Sequence, residues 1–546
     1  MPTVDASLND LCGLIGKKLS KEELGEALLF AKAEIDSSEG DALKIDVKDS
    51  NRPDLWSAEG IARELRFRLG LKKGLPKYSA AKPKVSVFVE KSVEKVRPKI
   101  AVAIAKNVNV TEDFLIQLIQ LQEKVAGTFG RKRKEAAIGI FDFDKITWPI
   151  YYRAVKDNEV EFVPLEFNVK MRPSEILKEH PKGKEYAHLL DEKNFPIFID
   201  AAKEVLSMPP IINSDWTGKV TEKTKNIYLE VSGYRQETVN TALNVLAMAL
   251  ADRGAKLEAV NVVYGQSKKI VTPQFGVKKK LLDPKFAEKL AGIELSERQI
   301  IECLSRAGMD AKKKGSKLEV TYPDYRQDVL HEVDLIEDVL ISYGYRNFKP
   351  QKIELAVTGK ELPQTRYLDV VREACIGMGL QEVLTFNLTS REKQEAKIGL
   401  KEEKFVEIAN PVSLNYSLFR KRLLPELLEF LGKNKDKEFP QMIFEVGRAL
   451  ELDAKSETSV KEKNSLCIVS SHKEAGFTEA KSLLETVCSA LGLKYELSET
   501  KLPFLKAGRG AELKVNGKKG FIGELNEKTL KEFGLEMPVS AVELEL

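Results

Sequence analysis

The stretch YPDYRQDVLHEVDLIEDVLISYGY, residues 322–345, decides how the middle of the chain is read. Pro323 restricts its own φ and opens a turn. Beyond it, Val329, Val333, Ile336 and Leu340 fall on one narrow stripe at 100° per residue, which predicts an amphipathic helix over about 329–343. Asp334, Glu337 and Asp338 fall together on an adjacent face, at spacings where helical neighbours meet. Asp328 stands at the expected helix start, where a carboxylate suits both an N-cap and the helix dipole. Four carboxylates around one helix suit a hard cation such as Mg²⁺, which takes oxygen ligands. The same spacing equally describes a solvated acidic face with an Asp cap, because like charges at i,i+4 cost only about 0.2–0.5 kcal/mol.

Immediately upstream, Ser296 is placed to cap a helix that runs to Ala307 and Gly308, and a strand is expected at 318–322. Helix, strand and helix within 270–348 predict a small winged-helix-like unit. Towards the N-terminus, a strand at 44–47, the turn Asn51-Arg52-Pro53-Asp54 and a Ser57-capped helix at 58–69 define a first segment, 1–80. Residues 74–84 read as a linker. A second segment, 85–268, opens on the alternating Val85, Val87 and Val89, continues with strands at 136–141 and 227–231, and carries a helix at 237–253. The fourth segment, 355–546, has helices at 363–379 and 422–434 and strands at 441–446, 466–470 and 539–544. The fold class is therefore α+β, in several domains.

Within the second segment two prolines, Pro209 and Pro210, stiffen a loop that presents Asn213 and Ser214. Strand alternation places Glu230 and Ser232 on one face. Together the four residues describe either a polar-lined pocket or an ordinary loop and strand edge.

Across 546 residues, 87 Lys and Arg face 83 Asp and Glu, a net charge of only +4. Any nucleic-acid contact must use local patches. Arg131-Lys132-Arg133-Lys134, Lys278 to Lys280 and Lys312 to Lys314 are the candidates, for phosphates, for an acidic partner or simply as solvated loops. Five cysteines form no CxxC pair and only four histidines are present, which argues against structural zinc and for a reduced, cytoplasmic protein. No apolar run is long enough to cross a membrane. The chain lacks a Walker A loop, a G-x-G-x-x-G fingerprint and a G-x-S-x-G elbow, so nothing announces a self-contained active site.

Several stretches resemble, in order, the phenylalanyl-tRNA synthetase β chains of archaeal and eukaryotic type. SNRPDLWSAEGIAREL (50–65) resembles their B1 domain. EHPKGKEYAHLL (179–190) and SMPPIINSDWTGKVTEKTKNIYLEVSG (207–233) resemble the B3/B4 editing domain, and 322–345 the B5 domain. GLQEVLTFNL (379–388), ANPVSLNYSLFRKRLLPELLEFLGKN (409–434) and FEVGRAL (444–450) resemble the catalytic-like module. The resemblance implies an α2β2 heterotetramer that joins L-phenylalanine to tRNA(Phe) with ATP, the working class II site lying on the α subunit. This chain's last module would then be a degenerate class II fold built on an antiparallel sheet with helices. The sequence agrees: FEVGR (444–448) is at best a remnant of the ATP-binding strand, and no Gly-rich segment ending in Arg follows Gly520. Arg420 either mimics a nucleotide contact or is a helix-start or interface arginine.

The resemblance further implies Mg²⁺ ligands at Asp328, Asp334, Glu337 and Asp338, and hydrolytic editing of tyrosyl-tRNA with Asn213, Ser214, Glu230 and Ser232 as candidates. Glu230 stands where aspartate is expected. The alternatives are a scaffold subunit without editing, and an editing hydrolase acting without the synthetase, which the interface module 363–546 disfavours.

Overall fold

The computed structural model describes every residue except 1, 192, 266, 267, 351 and 354–356. It divides into two compact units, Met1–Gln351 and Lys352–Leu546. The first three expected segments thus share one body. The expected start of the fourth, residue 355, lies outside the described residues.

The first unit begins with a three-stranded antiparallel sheet, in the order Thr3–Ser7, Ala42–Val47, Ala33–Glu39. Ser57 caps the helix Ala58–Arg68, accepting from the N–H of Gly60. This helix buries Ile61 and Leu65, and also Arg63, Glu64 and Arg68, because its polar side faces other parts of the same unit. The stretch 74–84 is no free linker. The Gly74 N–H bonds the carbonyl of Ser305, the Tyr78 hydroxyl bonds Asp252, and Ala81 pairs with the strand Lys256–Tyr264, so the segment is strapped down along its length.

A ten-stranded mixed sheet forms the middle of this unit. At one end, Ile227–Gly233 lies antiparallel between Lys99–Lys106 and Ala136–Asp142, and all seven of its residues are buried. The helix Gln236–Asp252 packs against it with an almost wholly apolar face. At the other end, Phe195–Ile199, Val205–Met208 and Ile212–Asn213 form a short antiparallel run.

Residues 277–343 form a three-stranded antiparallel sheet, in the order Val277–Leu282, Lys317–Pro323, Asp310–Lys314, with the helices Pro284–Ala291, Glu297–Arg306 and Glu332–Tyr343. Ser296 and Gln299 make a reciprocal capping box. The last helix starts three residues later than its apolar spacing predicts. Asp328 is not its cap: that carboxylate is bonded to Arg326, and Asp334 instead accepts the N–H groups of Leu330 and His331. The apolar stripe shifts accordingly. Leu335, Ile336 and Val339 are buried, whereas Val333 is exposed.

The second unit is a seven-stranded sheet in the order Gln381–Glu382, Gln441–Leu452, Val460–Ser471, Val539–Glu545, Lys518–Leu525, Leu505–Val515, Tyr495–Glu499, antiparallel except for its first pair. Pro363–Gly377 and Phe477–Ala490 share one apolar core with it through Val371, Cys375, Leu484 and Val487. Leu424–Lys433 contributes Leu424, Leu427, Leu428 and Leu431 to a second. The two expected helices and three expected strands are present, the two long strands extending well past their expected bounds, whereas the helix Phe477–Ala490 and the strands Gln381–Glu382, Tyr495–Glu499, Leu505–Val515 and Lys518–Leu525 were not expected.

Candidate functional site

A cavity of the first unit, about 390 Å³, lies where Ile227–Gly233, Ala136–Asp142 and Val205–Met208 meet the loop 209–214 and the helix Glu112–Lys124. That volume is in the range of small-molecule sites. Leu118, Ile138, Ile140 and Ile211 line it, with Ser207, Asn213, Arg133 and Glu230 as polar groups.

Glu230 is 1% exposed and accepts a 2.8 Å bond from the Ser207 hydroxyl. Burial pushes its carboxyl up to about 8, against the opposing pull of the Ser207 bond and the Arg97 charge. At neutral pH it is a protonated acid, able to donate as well as accept. It sits opposite Gly139 in the neighbouring strand, and a Cβ there would come 3.2 Å from its Oε2 and 2.5 Å from the Phe141 ring. Glycine at 139 keeps that wall open.

Of the four expected residues, the fold brings two together. Asn213 lines the same cavity, its amide 3.5 Å from the Ile140 carbonyl. Ser214 turns away: its hydroxyl caps the short helix Asp215–Gly218 and lies 2.9 Å from that of Thr217. Ser232 shares the expected face of the strand but accepts from Arg97 Nε at 3.0 Å and does not reach the cavity. His180 borders the cavity, buried at 2% exposure, with both ring nitrogens engaged. Nδ1 accepts from the Lys182 N–H, which leaves Nε2 as donor to the Leu165 carbonyl. In that tautomer neither nitrogen is free as a general base.

Of the run 131–134, expected as a basic patch or solvated loop, Arg133 lines the cavity. Arg131, Lys132 and Arg133 have φ of 50°, 52° and 65°, three consecutive left-handed residues, none of them glycine. Each costs on the order of 1–2 kcal/mol. The buried Arg97 holds the turn, donating to the carbonyls of Arg133 and Lys134 while also gripping Ser232. Arg133 then reaches into the cavity wall, donating to the Ile211 carbonyl at 2.9 Å and Glu123 at 2.8 Å over the ring of Tyr186. A Gly inside a strand and a Ser on the buried face of another were the available signals for Gly139 and Ser207. Nothing local marks the turn, or Arg97.

The four expected metal ligands are arranged differently. Arg326 bonds Asp328 at 2.6 Å and Asp338 at 2.5 Å, and Arg68 also pairs with Asp338. Arg52 approaches Asp328 at 3.8 Å and, with Arg68, holds Glu64. Glu337 pairs with Lys32 at 2.8 Å, and Asp334 is the helix cap already described. Burial alone would raise Asp328, but Arg326 and Arg52 outweigh it and hold the carboxyl well below its usual range. The space beside Asp328, Glu337 and Asp338 is about 10 Å³ and is lined by Lys32, Arg52, Arg68 and Arg326. A divalent cation there would sit among four positive charges. Among the described residues no three His, Cys, Asp or Glu side chains gather as a metal-ligand group. The expected Mg²⁺ set does not fit this arrangement, since arginine and lysine already answer those carboxylates.

In the second unit, Arg420 and Glu445 are each about 1% exposed and 2.7 Å apart. Arg420 also donates to the Arg448 carbonyl and to the Thr385 hydroxyl, which itself donates to Glu445. All three guanidinium nitrogens are engaged, so Arg420 is a buried structural arginine. Glu543 accepts the N–H groups of Leu423 and Leu424 where the helix Leu424–Lys433 begins.

Residues 92–264 match the family described as B3/4 domain, 281–345 the tRNA synthetase B5 domain, and 351–546 the phenylalanyl tRNA synthetase beta chain CLM domain. The whole chain is 44% identical over 550 residues to the phenylalanine–tRNA ligase beta subunit of Thermococcus sibiricus, covering 100% of this chain and 98% of that one. It is 45% identical to that of Pyrococcus abyssi, covering 100% and 99%. Among solved structures, the N-terminal fragment of the phenylalanyl-tRNA synthetase beta-subunit from Pyrococcus horikoshii superposes with a TM-score of 0.61 at 46% identity, over 63% of this chain and 100% of that one.

Proposed function

The chain belongs to the phenylalanine–tRNA ligase β-subunit family, and from that premise we propose that it works with an α subunit in an α2β2 ligase and that its cavity hydrolyses tyrosine wrongly joined to tRNA(Phe). The observation that carries the editing reading is the buried, protonated Glu230 facing an otherwise largely apolar wall. A synthetic site built for phenylalanine rejects tyrosine's added hydroxyl by only about 10². A second site that hydrogen-bonds the hydroxyl discriminates by about 10⁴–10⁵, because phenylalanine leaves its polar groups unpaired. Glu230 and Ser207 supply donor and acceptor for the phenol, Ile138, Ile140 and Leu118 accept the ring, and Asn213 orients the substrate at the loop. With His180 committed through both nitrogens, attack by water is the simpler route than a covalent one.

The test is deacylation of tyrosyl-tRNA(Phe) by the assembled complex. Glu230→Ala and Asn213→Ala should each slow it and narrow the preference over phenylalanyl-tRNA. Unchanged deacylation in both variants would move the pocket elsewhere, and no deacylation by the parent complex would leave a scaffold subunit.

Assembly is supported by the second unit. Leu384, Phe386, Val412, Leu414 and Tyr416 are exposed, and Phe386 packs edge-on against Tyr416 with ring centroids 5.9 Å apart. Exposed apolar side chains so close in sequence and space suit a protein interface. With Arg420 sealed in, ATP and L-phenylalanine are assigned to the α subunit. Magnesium would serve the complex there, with ATP, and not through the four carboxylates of 328–338. Among the described residues no helix is long and apolar enough to cross a membrane, and a cytoplasmic complex is the setting we propose.

A further inference from the structure

Three basic runs stand out in this sequence, and the fold treats one of them differently. Lys278 and Lys279 lie 3.3 and 3.0 Å from Glu237 and Glu319, and Lys280 bonds the Leu330 carbonyl. Lys313 and Lys314 pair with Glu297 and Glu319 at 2.8 Å. Five of these six lysines are answered within the chain; Lys312 is exposed without such a partner among the described residues, but on ordinary strand backbone. Arg131 and Lys132 are exposed, and among the described residues neither meets a carboxylate. Yet they occupy the most constrained backbone of the unit, two of three consecutive left-handed positions where glycine would be easiest. Arg97 fixes that backbone from beneath through two carbonyls. The third residue of the turn, Arg133, is itself cavity wall. A turn this constrained, buttressed by a buried arginine and bearing two unanswered cations, holds those cations beside the cavity without further ordering.

We propose that Arg131 and Lys132 form a phosphate-binding rim for the 3′ end of the tRNA whose aminoacyl group enters the cavity. The inference rests on the editing reading of that cavity. An aminoacyl ester with its side chain against Glu230 leaves the terminal ribose at the mouth and the adjoining phosphates just outside. The mouth also carries the acidic Glu123, Glu166 and Asp215, which would repel a polyanion. Glu123 is answered by Arg133. Lys182 and Lys219 stand on the same lining, and Arg131 and Lys132 lie two and one residues from Arg133, within about 7 Å of chain. They are placed to make the net charge at the entrance favourable to RNA.

The experiment uses the reconstituted complex. Arg131→Gly with Lys132→Gly removes both charges while keeping a backbone that tolerates positive φ, and Arg131→Lys with Lys132→Arg keeps the charges. Binding of tRNA(Phe) is measured against salt concentration. The glycine pair should flatten the slope of log K against log salt by about 1.4, two phosphates at ~0.7 each for single-stranded RNA. It should also raise KM for tyrosyl-tRNA deacylation on the order of tenfold, for two lost charge-assisted contacts, with kcat moving far less. The charge-keeping pair should restore both. A glycine pair with unchanged slope and unchanged KM overturns the proposal. So does a glycine pair that no longer co-purifies with the α subunit, which would make the run a protein-docking surface. If the parent complex deacylates nothing, the editing reading falls, and the salt slope alone still decides whether the rim holds phosphate.

Discussion

Glu230 and Asp338 are both acids buried to a few per cent exposure in the same compact unit, and their surroundings are opposite. Asp338 meets two guanidiniums, Arg68 and Arg326, within a network that also takes in Arg52, Glu64 and Asp328. Glu230 meets one hydroxyl at close range and faces a cavity. The first carboxylate is matched by arginine and closes space between the Ser57-capped helix and the 277–343 sheet. The second is neutral and leaves space open. Burial of an acid therefore does not mark a site by itself. What marks it is burial without a matching cation, because only then does the group keep an unused hydrogen-bonding capacity and a pKa pushed towards the neutral form. Glu445, matched by Arg420, falls on the Asp338 side of this division.

The comparison breaks most severely if the cation is removed from the matched cluster. Arg326→Ala would strand Asp328 and Asp338 in a buried setting and should cost about 3–5 kcal/mol, read from the urea midpoint of the complete chain. Adding Asp328→Asn and Asp338→Asn to the same chain should return part of that loss. A single variant within about 0.5 kcal/mol of the parent, the range of an ordinary surface change, would mean that water already reaches the cluster.

The pH dependence sharpens the contrast, because the two environments have opposite signs. Burial works against ionisation of Glu64, but Arg52 and Arg68 prevail and bring it to about 2 from its ordinary 4.5. Its stabilising effect is present above pH 4.5 and lost as pH falls towards 2. Glu230, raised to about 8 by burial, contributes in the other direction: stability is lost as pH rises from 4.5 through 8. The first limb is on the order of 3 kcal/mol and the second on the order of 5 kcal/mol. Glu230→Gln, neutral at every pH, should flatten the alkaline limb and leave the acid limb in place. An alkaline limb unchanged in that variant would show that Glu230 is ionised in the folded protein. Deacylation by the parent complex should likewise decline as pH passes about 8.

Much of the framework was legible where the signal is local. The caps at Ser57 and Ser296, the buried strand at 227–233 and the helix at 236–252 follow from spacing and side-chain chemistry within a few residues. The site was legible only in part, because its partners come from afar. Arg97 is 135 residues from Ser232, and Arg68 is 270 from Asp338, so neither pairing leaves a pattern in sequence. Ser214 was misplaced for a local reason: with Thr217 three residues on, its capping role was visible and competes with a role in the pocket. The left-handed run 131–133 had no sign at all, since it contains neither glycine nor asparagine.

The smallest effect concerns Asp334, the expected metal ligand with the clearest alternative duty. Its carboxylate accepts the N–H groups of Leu330 and His331 ahead of the helix Glu332–Tyr343. Those donors would otherwise be unsatisfied at a helix start, and the carboxylate also faces the positive end of the dipole. Loss of such a cap costs about 1 kcal/mol. Asp334→Ala should therefore lower stability by about that amount, and by the same amount in magnesium and in EDTA, because the substitution removes a cap and not a ligand. The parent chain should show no EDTA effect either, Lys32, Arg52, Arg68 and Arg326 already occupying the space beside Asp328 and Asp338. A melting temperature of the parent that rises with magnesium, together with loss of that rise in Asp334→Ala, would instead require the arginines to move aside for a cation. The matched cluster would then be a metal site held closed by its own side chains, and the line drawn between Asp338 and Glu230 would have to be redrawn.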